Sequence, residues 1–400
     1  MMESIKKTAM LTGVRVLAAI NGMELFGHER GNIEVFKALR DEGAKVRVGV
    51  NARENGGAVG EYLQSLGFET FLIPFGAQWS WQWLKLNGPR FAWNQFKMIF
   101  DSSRIFSEQI RTFKPTHLHL GSELAYSFLC LALRRCNHPL IWRMGDAPPT
   151  DSRFNLPIWK MGMRRSTLVV ANSRYVAATA ISAGLRQEKI SIINNLAPDF
   201  RGGKEAGPFP TLQEGQSALI YAGSVSEHKG VDLLVEAFSQ IATEEPMLQL
   251  WVLGGSIYDS VFRQQLVKRV HELGIHERVT FVGHVNEPSA WFAAAAVHLA
   301  PSVWEEPFAN VVLEAKRVGT PSIIYPSGGL PEMVRHEVDG YICQTKTTQS
   351  LAEAIRWMLA DSARLSAMAH AATEDSEARF GRPRFLRQWA DVYKNSHHSS

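Results

Sequence analysis

The stretch VRVLAAINGMELFGHERGNIEVFKALRDEGAKVRVGV, residues 14–50, decides the fold class of this chain. Its apolar run Val14–Ile20 is typical of a buried strand. Residues Asn32–Asp41 then carry apolar side chains at helical spacing, and Val46–Val50 is a second strand. A strand, a helix and another strand in succession form a parallel βαβ unit. The sequence therefore predicts an α/β fold built on parallel sheets.

The same alternation continues along the rest of the chain. Further strands are predicted in the first half at Phe71–Pro74, His117–Leu120, Leu140–Trp142 and Leu168–Val170. A second series is predicted at Ala218–Ala222, Leu248–Leu253, Val279–Val282, Val297–Ala300 and Ser322–Tyr325. Residues 198–217 lie between the two series, and they are dense in glycine and proline, which is typical of a linker.

Two doubly wound, Rossmann-like domains follow from this organisation. We predict an N-terminal domain over 1–197, a linker over 198–217 and a C-terminal domain over 218–380. A final helix, 381–396, is predicted to cross back onto the first domain. Ligands of such sheets bind beyond the carboxyl ends of the strands, so we expect the domains to face a central cleft.

Composition excludes several classes of protein. The chain has 400 residues, 45% hydrophobic and 20% charged, which excludes a wholly disordered chain. Its net charge of +4 hides an asymmetry, because residues 1–200 carry 25 Lys/Arg against 16 Asp/Glu and residues 201–400 carry 18 against 23. A nucleic-acid partner is not expected from this distribution. Three scattered cysteines and the lack of an apolar leader predict reduced thiols and a cytoplasmic location.

The strongest chemical motif is Glu306-Pro-Phe-Ala-Asn-Val-Val-Leu-Glu314. If a helix starts near Phe308, Glu306 lies just before it and Glu314 lies within it. The amides of Phe308, Ala309 and Asn310 would then form a helix N-terminus, which attracts anions. A carboxylate beside that terminus can bind sugar hydroxyls while the amides face phosphate.

Two glycine-containing loops accompany this motif. Gly328-Gly329 follows the strand Ser322–Tyr325, and paired glycines allow a close approach of backbone to a ligand. The loop Gly223-Ser224 to Lys229 follows the strand Ala218–Ala222, and a lysine there is suited to a diphosphate. Either loop alone is as readily an ordinary turn.

In this order and spacing, the three elements resemble the retaining nucleotide-sugar glycosyltransferases of family four, which have the GT-B fold. The resemblance implies that Glu306 contacts hydroxyls of the donor sugar and that Glu314 binds the ribose. It also implies that Lys229 neutralises the diphosphate. Backbone at Gly328, Gly329 and Leu330 would reach the sugar or phosphate, and backbone at Gly283 would hold the base. The co-substrate implied is a nucleoside-diphosphate sugar, with no bound cofactor and no metal expected.

Three departures from the family pattern concern the same site. In the first βα turn Gly27, Glu29 and Arg30 match the family's loop, but Phe26 replaces a glycine. Ser224 stands where an arginine is usual, which removes one phosphate-binding cation. Gly145 stands where many members have a histidine, which leaves Arg143 and Asp146 as the polar groups of that strand end. We assign catalytic roles to Glu306, Lys229, Asp146 and Arg143.

The stretch Phe71–Phe100 distinguishes the N-terminal half. It holds Trp79, Trp81, Trp83 and Trp93 together with Lys85, Arg90 and Lys97, and it lacks Asp and Glu. Stacking on sugars, contact with an anionic membrane at the inner face, and an ordinary buried helix pair all fit this composition. The alternation of Trp79, Trp81 and Trp83 favours a loop or an extended segment. The acceptor is expected to be a saccharide, a glycolipid or other lipid-linked molecule, or a small molecule.

Glycosyl transfer with retention, in polysaccharide or glycoconjugate biosynthesis, is the function that the resemblance implies. Two alternatives remain open at the level of sequence. A sugar-nucleotide epimerase shares the two-domain architecture, and a degenerate, non-catalytic nucleotide-sugar-binding subunit would explain Ser224 and Gly145.

Overall fold

A computed structural model of the chain describes residues 9–77, 81–149, 152, 155–198, 212–255, 260–285 and 287–396, without the side chains of 81–87 and 260. The chain divides into two compact units. Unit 1 comprises residues 1–195 and 383–400, and unit 2 comprises residues 196–382. Most of the predicted linker, residues 199–211, lies outside the described part of the chain.

Unit 1 is built on a parallel seven-stranded sheet in the order β3-β2-β1-β4-β5-β6-β7. Its strands β4 and β5 are buried along their whole length, as expected for a parallel sheet covered on both faces. The strands are β1 (Arg15–Ala19), β2 (Lys45–Asn51), β3 (Glu69–Ile73), β4 (His117–Leu120), β5 (Leu140–Met144), β6 (Leu168–Ala171) and β7 (Ile190–Ile192).

Helices connect these strands in turn. They are α1 (Gly27–Asp41), α2 (Gly57–Ser65), α3 (Trp81–Phe113), α4 (Glu123–Arg134), α5 (Asn155–Arg165) and α6 (Arg174–Ser182). Serine side chains cap two of them, because Ser122 accepts from the Ala125 amide at 3.1 Å and Ser173 accepts from the Val176 amide at 3.1 Å. Helix α1 starts five residues before its apolar periodicity begins, so Gly27, Glu29 and Arg30 lie in a first helical turn, not in the predicted loop.

Unit 2 repeats the architecture with a parallel six-stranded sheet in the order β10-β9-β8-β11-β12-β13. Its strands are β8 (Ser217–Ala222), β9 (Leu248–Leu253), β10 (Val279–Gly283), β11 (Val297–Ala300), β12 (Ser322–Ile324) and β13 (Gly340–Ile342). Its helices are α7 (Val231–Ala242), α8 (Ser260–Glu272), α9 (Ser289–Ala294), α10 (Asn310–Arg317), α11 (Thr348–Leu359) and α12 (Ser362–Phe380). The predicted fold class is confirmed by these two sheets.

The last helix, α13 (Arg382–Asn395), returns to unit 1. Its buried aromatic residues Phe385, Trp389 and Tyr393 recur every four residues, which places them on one face. Tyr393 stacks on His119 of β4, and its hydroxyl lies 2.7 Å from His119 Nδ1. Burial lowers the pKa of His119 to about 3, so this imidazole is neutral.

Helix α3 corrects the interpretation of the tryptophan stretch. Trp81 and Trp83, predicted in an extended segment, lie in the first turn of α3, and Trp79 lies outside the described residues. The helix is kinked at Gly88, where φ is 54°, next to Pro89.

Candidate active site

The polar centre of unit 2 lies at the point where its strand order reverses, between β8 and β11. Lys229 follows β8 in a 3₁₀ turn, Glu227–Lys229, and Glu306 follows β11. The Lys229 ammonium pairs directly with Glu306 Oε1, and Ser302 Oγ donates to the same oxygen at 2.8 Å. Ligands of open α/β sheets bind at such a point, so these side chains are placed where a substrate would bind.

Burial makes this pair chemically significant. The Glu306 side chain is 11% exposed and the Lys229 side chain is 26% exposed, so the carboxylate is largely removed from water. A carboxylate in such surroundings needs a charged or hydrogen-bonding partner, and Lys229 and Ser302 supply both. Lys229 is the half of the pair that solvent still reaches, and it is therefore available to an incoming anion.

Helix α10 begins two residues later than Phe308, with Ala309 as its first flanking residue and no side-chain cap. Phe308 is buried and its ring packs against Phe380. Asn310 opens the helix and Glu314 lies one turn inside it, half-buried. The two glutamates are therefore separated by the helix start, as the sequence predicted.

The amides of the Gly328-Gly329 loop have hydrogen-bond partners within the chain. Gly328 N–H donates to Glu305 Oε2 at 2.5 Å, Gly329 N–H donates to the Glu306 carbonyl at 2.7 Å, and Leu330 N–H donates to the Ser327 carbonyl at 3.0 Å. A Cβ on Gly328 would lie 2.8 Å from Glu306 N, and its φ is 54°. Position 328 thus requires glycine, because its backbone lies against that of Glu306 in a conformation that other residues rarely adopt.

The ends of β8, β9 and β10 are drawn together by a glycine that the sequence analysis missed. Gly254 N–H donates to the Gly283 carbonyl at 2.6 Å, and a Cβ on Gly254 would lie 2.8 Å from the Gly223 carbonyl carbon. Its φ is +119°, a region that favours glycine. The pair Gly254-Gly255 directly after β9 was the signal available in the sequence. Ser224 is exposed beside this contact, and its carbonyl accepts from Tyr221.

Unit 1 carries a second cluster at its own reversal point, between β1 and β4. Arg143, the penultimate residue of β5, is 3% exposed and donates to Asn195 Oδ1 at 2.8 Å. Asp146 lies just after β5, and His28 of α1 lies 3.3 Å from its Oδ2. Burial lowers the pKa of Arg143 to about 10, and burial raises that of Glu29. Arg30, by contrast, is exposed and bonds the Leu25 carbonyl at 3.0 Å.

Neither a metal site nor a membrane-spanning helix is found in the part of the chain that the structure describes. Within that part, His, Cys, Asp and Glu side chains do not gather in groups of three or more that could hold a metal ion. Over the same residues, every helix is too short or too polar to cross a bilayer.

Comparison with known proteins agrees with the two sheets and their reversal points, which define a GT-B type α/β protein. The family of glycosyl transferases group 1 matches residues 205–375, and the glycosyl transferase 4-like domain matches residues 27–195. The chain therefore belongs to the family-four type of GT-B glycosyltransferases.

Individual relatives are distant. N-acetyl-α-D-glucosaminyl L-malate synthase of Bacillus anthracis is 30% identical over 182 residues, 46% of each chain. An uncharacterised glycosyltransferase of Methanocaldococcus jannaschii is 28% identical over 185 residues, again 46% of each. The matched part of the chain spans about half the length of these curated relatives.

Solved structures resemble the whole chain. The Anabaena protein HepE in complex with UDP superposes with a TM-score of 0.78 at 20% identity, covering 96% of this chain and all of that one. A sucrose-phosphate synthase from Thermosynechococcus elongatus gives a TM-score of 0.77 at 19% identity, covering 97% of this chain and all of that one. At this level of identity the likeness shows the fold.

Proposed function

We propose that the protein transfers a glycosyl unit from a nucleoside-diphosphate sugar to a hydroxyl of an acceptor, with retention at the anomeric carbon. The observation that carries the proposal is the Lys229–Glu306 pair, braced by Ser302 at the reversal point of the unit 2 sheet. The departing diphosphate gains negative charge during transfer, and Lys229 is a cation placed to stabilise it. Glu306, released from Lys229, then binds hydroxyls of the donor sugar.

Unit 2 is the proposed donor-binding domain. The structural neighbour HepE has been crystallised with UDP and with UDP-glucose, which supports a uridine-diphosphate sugar as the first donor to test. Glu314 is proposed to bind the ribose, with backbone at Gly223 and Gly283 near the nucleoside. Because Lys229 supplies charge at the leaving group, we expect transfer to continue in EDTA.

Unit 1 is the proposed acceptor-binding domain, and α3 supports an acceptor at an anionic lipid surface. Trp93, Phe96 and Phe100 are 72%, 61% and 61% exposed, and their spacing of three and four residues places them on one helix face. Arg90 and Lys97 are also exposed on this helix. Aromatic side chains with neighbouring cations suit an anionic membrane interface. Cytoplasmic synthesis of a polysaccharide or glycoconjugate fits such an acceptor.

The test is incubation with a panel of nucleotide sugars, with binding, hydrolysis and epimerisation measured separately. Tight binding of one donor together with slow release of its nucleotide supports the transferase. A change of sugar configuration without an acceptor would identify an epimerase instead. Binding without turnover in the presence of any acceptor would indicate a non-catalytic subunit, and no binding at all would refute all three.

A second test addresses α3 alone. Vesicles with a tenth to a third of anionic lipid should sediment with the wild-type protein, and Trp93→Ser should weaken that binding because the indole leaves the interface. Exposed Trp304, at 59% in unit 2, provides the matched control Trp304→Ser. Equal binding by both variants, or no binding by the wild type, would exclude a membrane contact through this face.

A further inference from the structure

The space beside Gly145 is occupied by an imidazole from another element. A Cβ built on Gly145, directly after β5, would lie 2.7 Å from His28 Nδ1 and 3.3 Å from Arg143 Nη1. Real Cβ atoms do not approach heavy atoms closer than about 3.0 Å. His28, in the first turn of α1, therefore fills the volume into which a side chain at position 145 would project, and the two positions constrain each other.

Two contacts fix the His28 ring. Its Nε2 lies 2.5 Å from the Gly121 carbonyl oxygen, and a carbonyl only accepts, so Nε2 carries a hydrogen. Its Nδ1 lies 3.3 Å from Asp146 Oδ2, within ion-pair distance but outside hydrogen-bond geometry. A neutral ring would point a lone pair at a carboxylate, whereas a second proton on Nδ1 turns that contact into an ion pair.

The charges around the ring agree with this protonation. Burial lowers the pKa of His28, but the Asp146 carboxylate more than offsets it, so the pKa lies above its ordinary value of 6.5. Arg143, on β5, opposes the proton and Glu29, on α1, favours it. Glu123 at the start of α4 also faces the ring, and burial raises the pKa of its carboxyl.

The cluster has an unused hydrogen-bond donor beside an accessible acceptor. Arg143 Nη1 is buried and finds no hydrogen-bond partner among the described residues, although Nη2 of the same side chain is bonded. The Asp146 side chain is 59% exposed. A hydroxyl group donates one hydrogen bond and accepts others, so it can satisfy a carboxylate and a guanidinium together. The cluster lies at the carboxyl edge of the sheet, at its reversal point, where ligands bind.

We propose that His28 is a positioning residue whose imidazolium, held on the Gly121 carbonyl, fixes Asp146 so that Asp146 and Arg143 Nη1 bind a hydroxyl of a sugar substrate. The proposal rests on the proposed function for the identity of the ligand. Its structural part is the His28–Asp146 ion pair beside Gly145, where a larger residue would clash with His28. This part is tested without substrate.

The first experiment is a titration of the histidine rings by NMR. We expect the His28 ring to titrate above 6.5 and Asp146→Asn to lower its pKa, since the stabilising carboxylate is lost. His370 is the internal control, because it lies 3.4 Å from Glu374 in an exposed pair on α12, in the other unit, and should not respond to Asp146→Asn. An unchanged His28 pKa in Asp146→Asn would overturn the ion pair.

The second experiment is a double-variant cycle on thermal stability. Gly145→Ala should destabilise the wild type, because the added methyl meets His28, and should be tolerated in the His28→Ala background, where the space is empty. An equal cost in the two backgrounds would show that His28 does not occupy this space.

The third experiment measures UDP release from UDP-glucose and UDP-N-acetylglucosamine. His28→Ala should lower kcat by on the order of 100-fold through displacement of Asp146, while the affinity for UDP itself stays unchanged. The activity of the wild type should fall as pH rises through the pKa of His28. The pH–rate profile of His28→Ala should lack this alkaline decline. The double variant His28→Ala/Gly145→His, which returns an imidazole from β5, should recover part of the rate.

A wild-type rate and pH profile in His28→Ala would overturn the positioning role. His370→Ala is the matched control, since it removes an exposed histidine–carboxylate pair. If the wild type releases UDP from neither sugar and binds neither, the proposed function fails and the sugar ligand fails with it. The titration and the stability cycle would still decide the ion pair, so the two failures are distinguishable.

Discussion

The contact between Lys229 and Glu306 predicts that one substitution will tighten nucleotide binding while it abolishes transfer. Glu306→Gln keeps the size of the side chain and its bond to Ser302, but it removes the charge that holds Lys229. In the wild type an incoming diphosphate must break the ion pair between Lys229 and Glu306, and it is then repelled by the unpaired Glu306 carboxylate. In the variant neither cost applies.

The magnitude follows from the exposure of the pair. A hydrogen bond to a charged group contributes about 1.5–3 kcal/mol. Because the Lys229 side chain is 26% exposed, solvent screens the interaction, and we take the lower end of that range. A gain of about 1.4 kcal/mol corresponds to a tenfold tighter Kd for UDP. Transfer should nonetheless be lost, since the carboxylate proposed to bind the donor sugar is gone.

Calorimetric titration with UDP measures the first effect, and nucleotide release from the preferred nucleotide sugar measures the second. Lys229→Met should weaken UDP binding, which fixes the sign of the lysine's contribution. Glu244→Gln is the matched control, because it breaks an exposed ion pair with Arg356 at 2.7 Å elsewhere in unit 2. A UDP affinity of Glu306→Gln equal to or weaker than that of the wild type would refute the reasoning.

Three stability predictions follow from buried contacts, each measured by chemical denaturation against the wild type. The Lys316 side chain is 2% exposed and lies 2.5 Å from Asp375 Oδ2. Lys316→Met should lower the free energy of unfolding by about 3–5 kcal/mol, because it leaves the buried Asp375 carboxylate without this partner. A loss under about 1 kcal/mol would contradict this. Tyr393→Phe leaves His119 Nδ1 without its hydroxyl and should cost about 1–3 kcal/mol. Ser173→Ala removes the cap of α6 and should cost about 1 kcal/mol, whereas Ser173→Asp should retain most of the stability.

Alternating apolar strands and helices were enough to predict both sheets, because parallel strands buried on two faces read as apolar runs. The short strand β13, Gly340–Ile342, was missed, since it opens on the pair Asp339-Gly340, which is typical of a turn. Helix α1 was predicted to begin too late. Phe26 carries no capping side chain, and the apolar periodicity begins only after the first turn, so Glu29 was the one signal of this helix start.

Within the candidate site, the sequence indicated single residues but not the contacts between them. Glu306 and Lys229 stand in local motifs, and their pairing across 77 positions of sequence is a product of the sheet order. His28 could not be found in this way. The sequence shows only that position 145 lacks an imidazole, and the occupation of that space by a ring from 117 residues earlier depends on how α1 is set against β5.

The return of α13 to unit 1 has a consequence for synthesis on the ribosome. Tyr393 meets His119 across 274 positions of sequence, which at about 10 residues per second takes roughly half a minute to translate. Residues 196–382 form a contiguous unit that can finish folding within that interval. Until α13 is made, the sheet of unit 1 has its His117 and His119 face uncovered. We therefore expect unit 1, rather than unit 2, to depend on chaperones.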